Sequence, residues 1–189
     1  MAKIEDIPVL TNPQLIDKVI RDIQVGLKAN LSWLTYAFGK AQRLVKIING
    51  KKYFTPNVYA GKESYIEVSP TSDYGNFSFF FIDDPQEIEW QPKIQGRLNA
   101  NFSLIFWFNI DRIEGAEGRN IEFVKSEILK TLNSKVWVKN GRFEISKIYE
   151  LSENVYKGFS LDEIENQFLM HPFCGLRFTG NLTINESCY

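Results

Sequence analysis

The sequence predicts an α+β domain: a mainly antiparallel sheet with two main helices packed on one face. Three observations predict it. Long stretches of helical apolar spacing occur near 13–28 and 120–132. Strand-like stretches come in runs between and after them, rather than alternating singly with helices. The final stretch alternates strictly, with Leu176, Phe178, Gly180, Leu182 and Ile184 against Arg177, Thr179, Asn181, Thr183 and Asn185. That period of two marks a strand with one buried and one polar face. The chain has 189 residues and shows no repeat, low-complexity segment or linker, so residues 1–189 read as one domain.

Asn12-Pro13 is a helix start, with Asn as N-cap and Pro in the first helical position. Leu15, Ile16, Val19, Ile20, Ile23 and Leu27 then recur at helical spacing, which predicts a helix over 13–28. Leu31, Leu34 and Phe38 extend the pattern past a break and predict a short helix over 31–38. Residues 41–48 are β-like and end at Asn49-Gly50, a type I′ hairpin signal. Strands follow at 52–59, 64–68 and 77–82, punctuated by Pro56, Gly61, Pro70 and Gly75. Residues 83–98 read as a long polar loop carrying Trp90.

Residues 98–110 predict a central strand, apolar on both faces. Phe102, Leu104, Phe106 and Phe108 lie on one face, with Ile105 and Trp107 on the other. The second helix, 120–132, carries Ile121, Val124, Ile128, Leu129 and Leu132 on one stripe. Short strands are expected at 136–138 and 142–149, around Asn140-Gly141. The capping box Ser160-Leu161-Asp162-Glu163 opens a short helix near 161–169. Two helices cover one sheet face. The other, assigned Phe80, Ile82, Ile105 and Trp107, needs a cover, and a neighbouring subunit would supply it.

Chemistry is sparse. There are 22 basic and 23 acidic side chains, a net charge of −1, which argues against a phosphate-dominated nucleic-acid binder. His171 is the only histidine, and Pro172 sets it apart from Cys174, so it reads as a packed or turn residue rather than half of a catalytic pair. No Cys-x-x-Cys or His pair points to zinc. Asp83, Asp84, Glu87 and Glu89 could bind a hard cation or serve an enzyme, but carboxylates beside a turn are commonly solvated. Gly115-Ala116-Glu117-Gly118 lacks the Walker lysine. Glu144 and Lys147, three apart on one strand, are expected to face opposite sides.

Cys174 and Cys188 are too far apart along one strand to bridge. Five N-glycosylation matches, at Asn30, Asn76, Asn101, Asn181 and Asn185, read as chance in an Asn-rich chain without a signal segment. No apolar run is long enough to span a membrane. No catalytic residue, metal or cofactor is therefore expected.

The aromatic excess, 14% of residues, points to packing and interfaces. Trp33 and Tyr36 would share one side of the 31–38 helix, either in the core or as a partner anchor. Trp90 in its polar loop is the stronger interface candidate. The expected interface set is Trp33, Tyr36, Phe80, Asp83, Asp84, Trp90 and Trp107.

Three segments carry a resemblance. They are Trp33-Leu34-Thr35-Tyr36-Ala37-Phe38-Gly39-Lys40, Gly75-Asn76-Phe77-Ser78-Phe79-Phe80-Phe81, and His171-Pro172-Phe173-Cys174-Gly175-Leu176-Arg177-Phe178-Thr179-Gly180-Asn181-Leu182-Thr183. With the order of elements, they resemble tail-terminator and neck proteins of tailed bacteriophages, of the type found in Bacteroides phages or prophages. The resemblance implies a non-enzymatic virion protein, assembled in the host cytoplasm as a ring, typically hexameric. It also implies contacts with other neck or tail proteins, through loops such as 83–98. The chain is longer than compact terminators and has the extra 161–169 helix, which leaves the exact neck role open. The alternative is a small-ligand or peptide-binding α+β domain of cellular origin, its aromatic side chains lining a pocket with Asp83 and Asp84 at the mouth.

Overall fold

The computed structural model describes residues 12–61, 64–91, 95–133 and 141–187. The expected strand at 136–138 and Cys188 lie outside them. The fold is α+β, with one mostly antiparallel sheet. Its elements run α1 (Ile16–Asn30), β1 (Tyr36–Ile48), β2 (Lys51–Gly61), β3 (Ser64–Glu67), β4 (Phe77–Ile82), β5 (Glu87–Gln91) and β6 (Gln95–Asn109). Then come α2 (Ile121–Asn133), β7 (Gly141–Tyr149), α3 (Ser152–Val155) and β8 (Phe173–Ser187). The strand order is β3-β2-β1-β4-β6-β8-β7, with β5 also paired to β6. Among the described strands, only β1 and β4 run parallel.

The two predicted helices form and share one face. Val19, Ile20, Ile23 and Leu27 of α1 and Val124, Ile128 and Leu132 of α2 pack with Phe80, Phe102, Leu104, Phe106 and Phe108. The start of α1 lies three residues later than Asn12-Pro13 suggests. Gln14 donates to the Asn12 side-chain oxygen at 3.1 Å, so that oxygen is drawn toward a side chain. Leu15 precedes the helix at φ 47° with no side-chain cap.

The expected 31–38 helix is a turn leading into β1. Lys28 donates to the carbonyls of Leu34 and Thr35 at 2.9 and 2.7 Å, and Gln24 to that of Ala37 at 2.6 Å. Thr35 and Tyr36 both donate to the Asn76 carbonyl, which starts the pairing with β4. Ala37 faces the helix-side core and Phe38 the opposite core, so burial on both faces hides the period of two.

The second face is closed by the chain itself, not by a neighbour. Val155 and Tyr156 of the segment after β7 are buried against Phe77, Phe79, Ile105 and Trp107, with Phe159, Leu161, Phe168 and Leu169 packed around them. The Tyr156 hydroxyl donates to the Val68 carbonyl at 3.2 Å. Phe80 and Ile82 belong to the helix-side core instead, because Phe80 pairs opposite Leu104 while Phe79 pairs opposite Ile105. The expected 161–169 helix is reduced to a 3-10 turn at Asn166–Leu169. Ser160 leaves its capping role and accepts from the Phe54 amide at 3.0 Å.

The expected loop over 83–98 is strand at Glu87–Gln91 and from Gln95 onward. β5 continues the line of β4 alongside β6, with Glu87 opposite Asn99 and Gln91 opposite Gln95. The Asp83 amide donates to the Asn101 carbonyl at 3.0 Å and bridges the interruption.

Candidate functional site

Two features stand out on the packed body, beside a cleft of about 930 Å³ between α2 and β7. The first is a hairpin arm. β1 pairs with β4 only as far as Lys40, and an extra residue between Ala37 and Lys40 bulges the strand there. Such a bulge bends a strand away from its partner. From Ala41 to Ile48, β1 is paired among the described residues to β2 alone. Asn49 and Gly50 turn the chain with φ of 51° and 78°, the left-handed pair that a type I′ turn requires. Leu44, Val45, Ile47 and Ile48 are exposed, Ile47 by 68%. A long, apolar, unpaired edge is a template for another strand.

Another free edge lies on β5, which among the described residues pairs only with β6. Ile88 is 59% exposed there, between Glu87 and Glu89. The arm from Ala41 to Lys52 carries Arg43, Lys46, Lys51 and Lys52 and no acid; the β5 side carries Asp84, Glu87 and Glu89. Some of this charge is used within the chain. Lys46 pairs with Glu67, Lys51 with Asp162 at 2.6 Å, and Glu89 with Asn99 at 3.0 Å. Arg43 stacks over the Phe54 ring at 4.1 Å.

The second feature is a cleft of about 350 Å³ at the end of the sheet, beside the segment that covers the second face. Arg177 projects into it from β8 and is only 6% exposed. Its Nε donates to Ser103 Oγ at 3.0 Å and its Nη1 to the Lys157 carbonyl at 2.9 Å. Burial pushes the guanidinium pKa down, while Asp83 and Tyr149 push it back up. No carboxylate among the described residues lies within ion-pair distance of it.

Lys147 reaches the same cleft because of a second bulge. Ile145 pairs opposite Gly180 and Lys147 opposite Thr179, leaving Ser146 as the extra residue. Ser146 Oγ donates to the Thr179 carbonyl at 3.1 Å. The bulge needs Gly180, since a Cβ there would sit 1.7 Å from the Glu144 carbonyl oxygen. It also puts Glu144, opposite Asn181, on the same face as Lys147. The expectation that these two face opposite sides is thus corrected: the extra residue shifts the phase of the strand.

The predicted interface residues separate into groups. Phe80 and Trp107 are fully buried in the two cores and offer nothing to a partner in the folded chain. Their apolar neighbours within the chain, invisible in sequence order, account for this. Trp33 and Tyr36 do not share a helical side. Trp33 packs on Phe106 and Phe108 at 6.3 and 5.7 Å between ring centres, and Tyr36 lies against Phe38 on the other core. Trp90 lies on β5 opposite Gly96. Asp83 lines the cleft and Asp84 is exposed in the turn before β5.

Sequence reasoning missed Arg177, which it placed on a solvated face. Its alternation with Leu176 and Phe178 marks only a polar strand position, and no local signal shows that the chain covers it.

Near the start of β8, His171 is exposed and sits 3.5 Å from Asp111. Cys174 is a free, half-buried thiol whose pKa is raised by burial and by Asp111, the wrong direction for a nucleophile. Among the described residues, no three His, Cys, Asp or Glu side chains converge as a metal site. No helix among them is long and apolar enough to cross a membrane. Neither protein-family models nor curated proteins give a match to this sequence.

Proposed function

We propose that this chain is a structural assembly protein, a ring subunit of the head–tail junction or tail end of a tailed phage. One geometric observation supports assembly: besides the outer edges of β3 and β7 at the two ends of the sheet, the described residues leave one edge of β1 and one edge of β5 unpaired. Two unlike, complementary edges on one subunit give head-to-tail contacts, and such contacts close into rings when the rotation permits. In this reading the arm of one subunit adds its Gln42–Ile48 edge to the Glu87–Gln91 edge of the next. Arg43 and Lys52 then approach Asp84 and Glu87, and Ile47 and Ile88 leave water. Five strand residues give about 17 Å of shared edge. The phage setting rests on the resemblance carried by residues 33–40, 75–81 and 171–183. Other neck or tail proteins would be its partners, and the virion its final location.

A pocket-lined ligand-binding domain is less well supported. Most of the buried aromatic side chains pack against one another in the two cores, and only Phe102, Phe143 and Tyr149 border either cleft among the described residues.

Hydrogen exchange tests the assembly mode. In concentrated protein, amides of Gln42–Ile48 and Glu87–Gln91 that are not bonded within the chain should become protected relative to dilute protein. Equal exchange at both concentrations would refute the pairing.

A further inference from the structure

We propose that the cleft at Arg177 is a binding site for a small oxyanion, a phosphate or carboxylate group. Arg177 is buried, and no carboxylate among the described residues lies within ion-pair distance of it, although Asp83 in the same cleft acts on it at longer range. Its Nε and Nη1 are used by Ser103 and by the backbone of the covering segment, while Nη2 makes no hydrogen bond among the described residues. Nη2 is also not enclosed, so it opens on the cleft that Arg177 lines. An arginine stays charged in proteins, and a buried charge calls for a counter-ion.

The surroundings fit an anion. Lys147, aimed by the bulge at Ser146, and Lys157, from the covering segment, line the same cleft, with Thr179 and Asn101 as neutral hydrogen-bonding groups. Asp83 is the only acid among the described residues of the lining, so three cations face one carboxylate there. A fork of guanidinium and ammonium donors around a concave space is the arrangement that holds oxyanions. The inference does not depend on ring assembly.

The test uses the whole protein at fixed ionic strength, with chloride as the reference. The Arg177 Nε–H resonance is followed while inorganic phosphate is titrated, and acetate in a parallel series. A saturable shift is expected. Lys147→Gln, at an exposed site, should weaken it about tenfold, and Asp83→Asn should strengthen it. Tighter phosphate than acetate would identify a phosphate-bearing ligand, and the reverse a carboxylate. A response no different from chloride, or one that neither substitution moves, would overturn the proposal.

Discussion

Asn76 anchors the start of the sheet. Its Nδ2 donates to the Trp33 carbonyl at 3.1 Å, and its Oδ1 accepts from the Asn109 amide at 2.8 Å. It thereby ties the turn before β1 to the end of β6. Asn76→Ala removes both bonds and leaves a carbonyl and an amide short of a partner, at about 1–3 kcal/mol for each buried group; we expect a total of about 2–4 kcal/mol. Two residues along β4, Ser78 is equally buried, but its hydroxyl has no partner among the described residues. Ser78→Ala should therefore be neutral or stabilising by up to about 1 kcal/mol. Urea unfolding at one fixed protein concentration separates the two: Asn76→Ala should lower the midpoint by about 1–2 M. Equal midpoints for the two variants would refute the reasoning, since the difference rests wholly on which polar group is satisfied.

Gly180→Ala should destabilise the protein by more than about 4 kcal/mol, because backbone at Glu144 occupies the space of the new Cβ; thermal melting would reveal it. Gly50→Ala meets nothing within 4 Å, so its cost is the left-handed backbone alone, about 1 kcal/mol. That loss should appear as faster hydrogen exchange in the arm with little change in global melting. The Tyr156 phenol is fully buried, and burial raises its pKa well above the ordinary value. Its stabilising contribution is complete below the unfolded tyrosine pKa of about 10 and declines as pH rises above it, because the unfolded phenol ionises first. Tyr156→Phe should flatten the fall of stability between about pH 10 and 11, measured by urea midpoints.

Much of the fold is legible where one face of an element meets water. β8 alternates cleanly, α2 shows a single stripe, and Asn49-Gly50 demands its turn. Legibility fails where both faces are buried. Ala37 and Phe38 enter different cores, and the resulting apolar run imitates a helix until Gln24 and Lys28 pull its carbonyls out. It fails again on β5, where Glu87 and Glu89 at an open edge look like loop residues. The site was least legible. What covers Arg177, and that Ser146 bulges to aim Lys147, depend on the β7–β8 register and on a covering segment whose contact with Arg177 comes from Lys157, twenty residues earlier in the chain. Local pattern carries neither. The same covering segment removes one sequence-based reason for a ring, the bare second face, and the free edges of β1 and β5 replace it.

The most direct test of the assembly account is the solution mass by light scattering over a concentration series, for the natural chain and for Ile47→Asp. The account predicts a closed ring of about six 21.9 kDa subunits, on the order of 130 kDa, that Ile47→Asp returns to monomer while leaving the fold intact. A natural chain that stays monomeric at every concentration, or a ring that Ile47→Asp leaves unchanged, would contradict it.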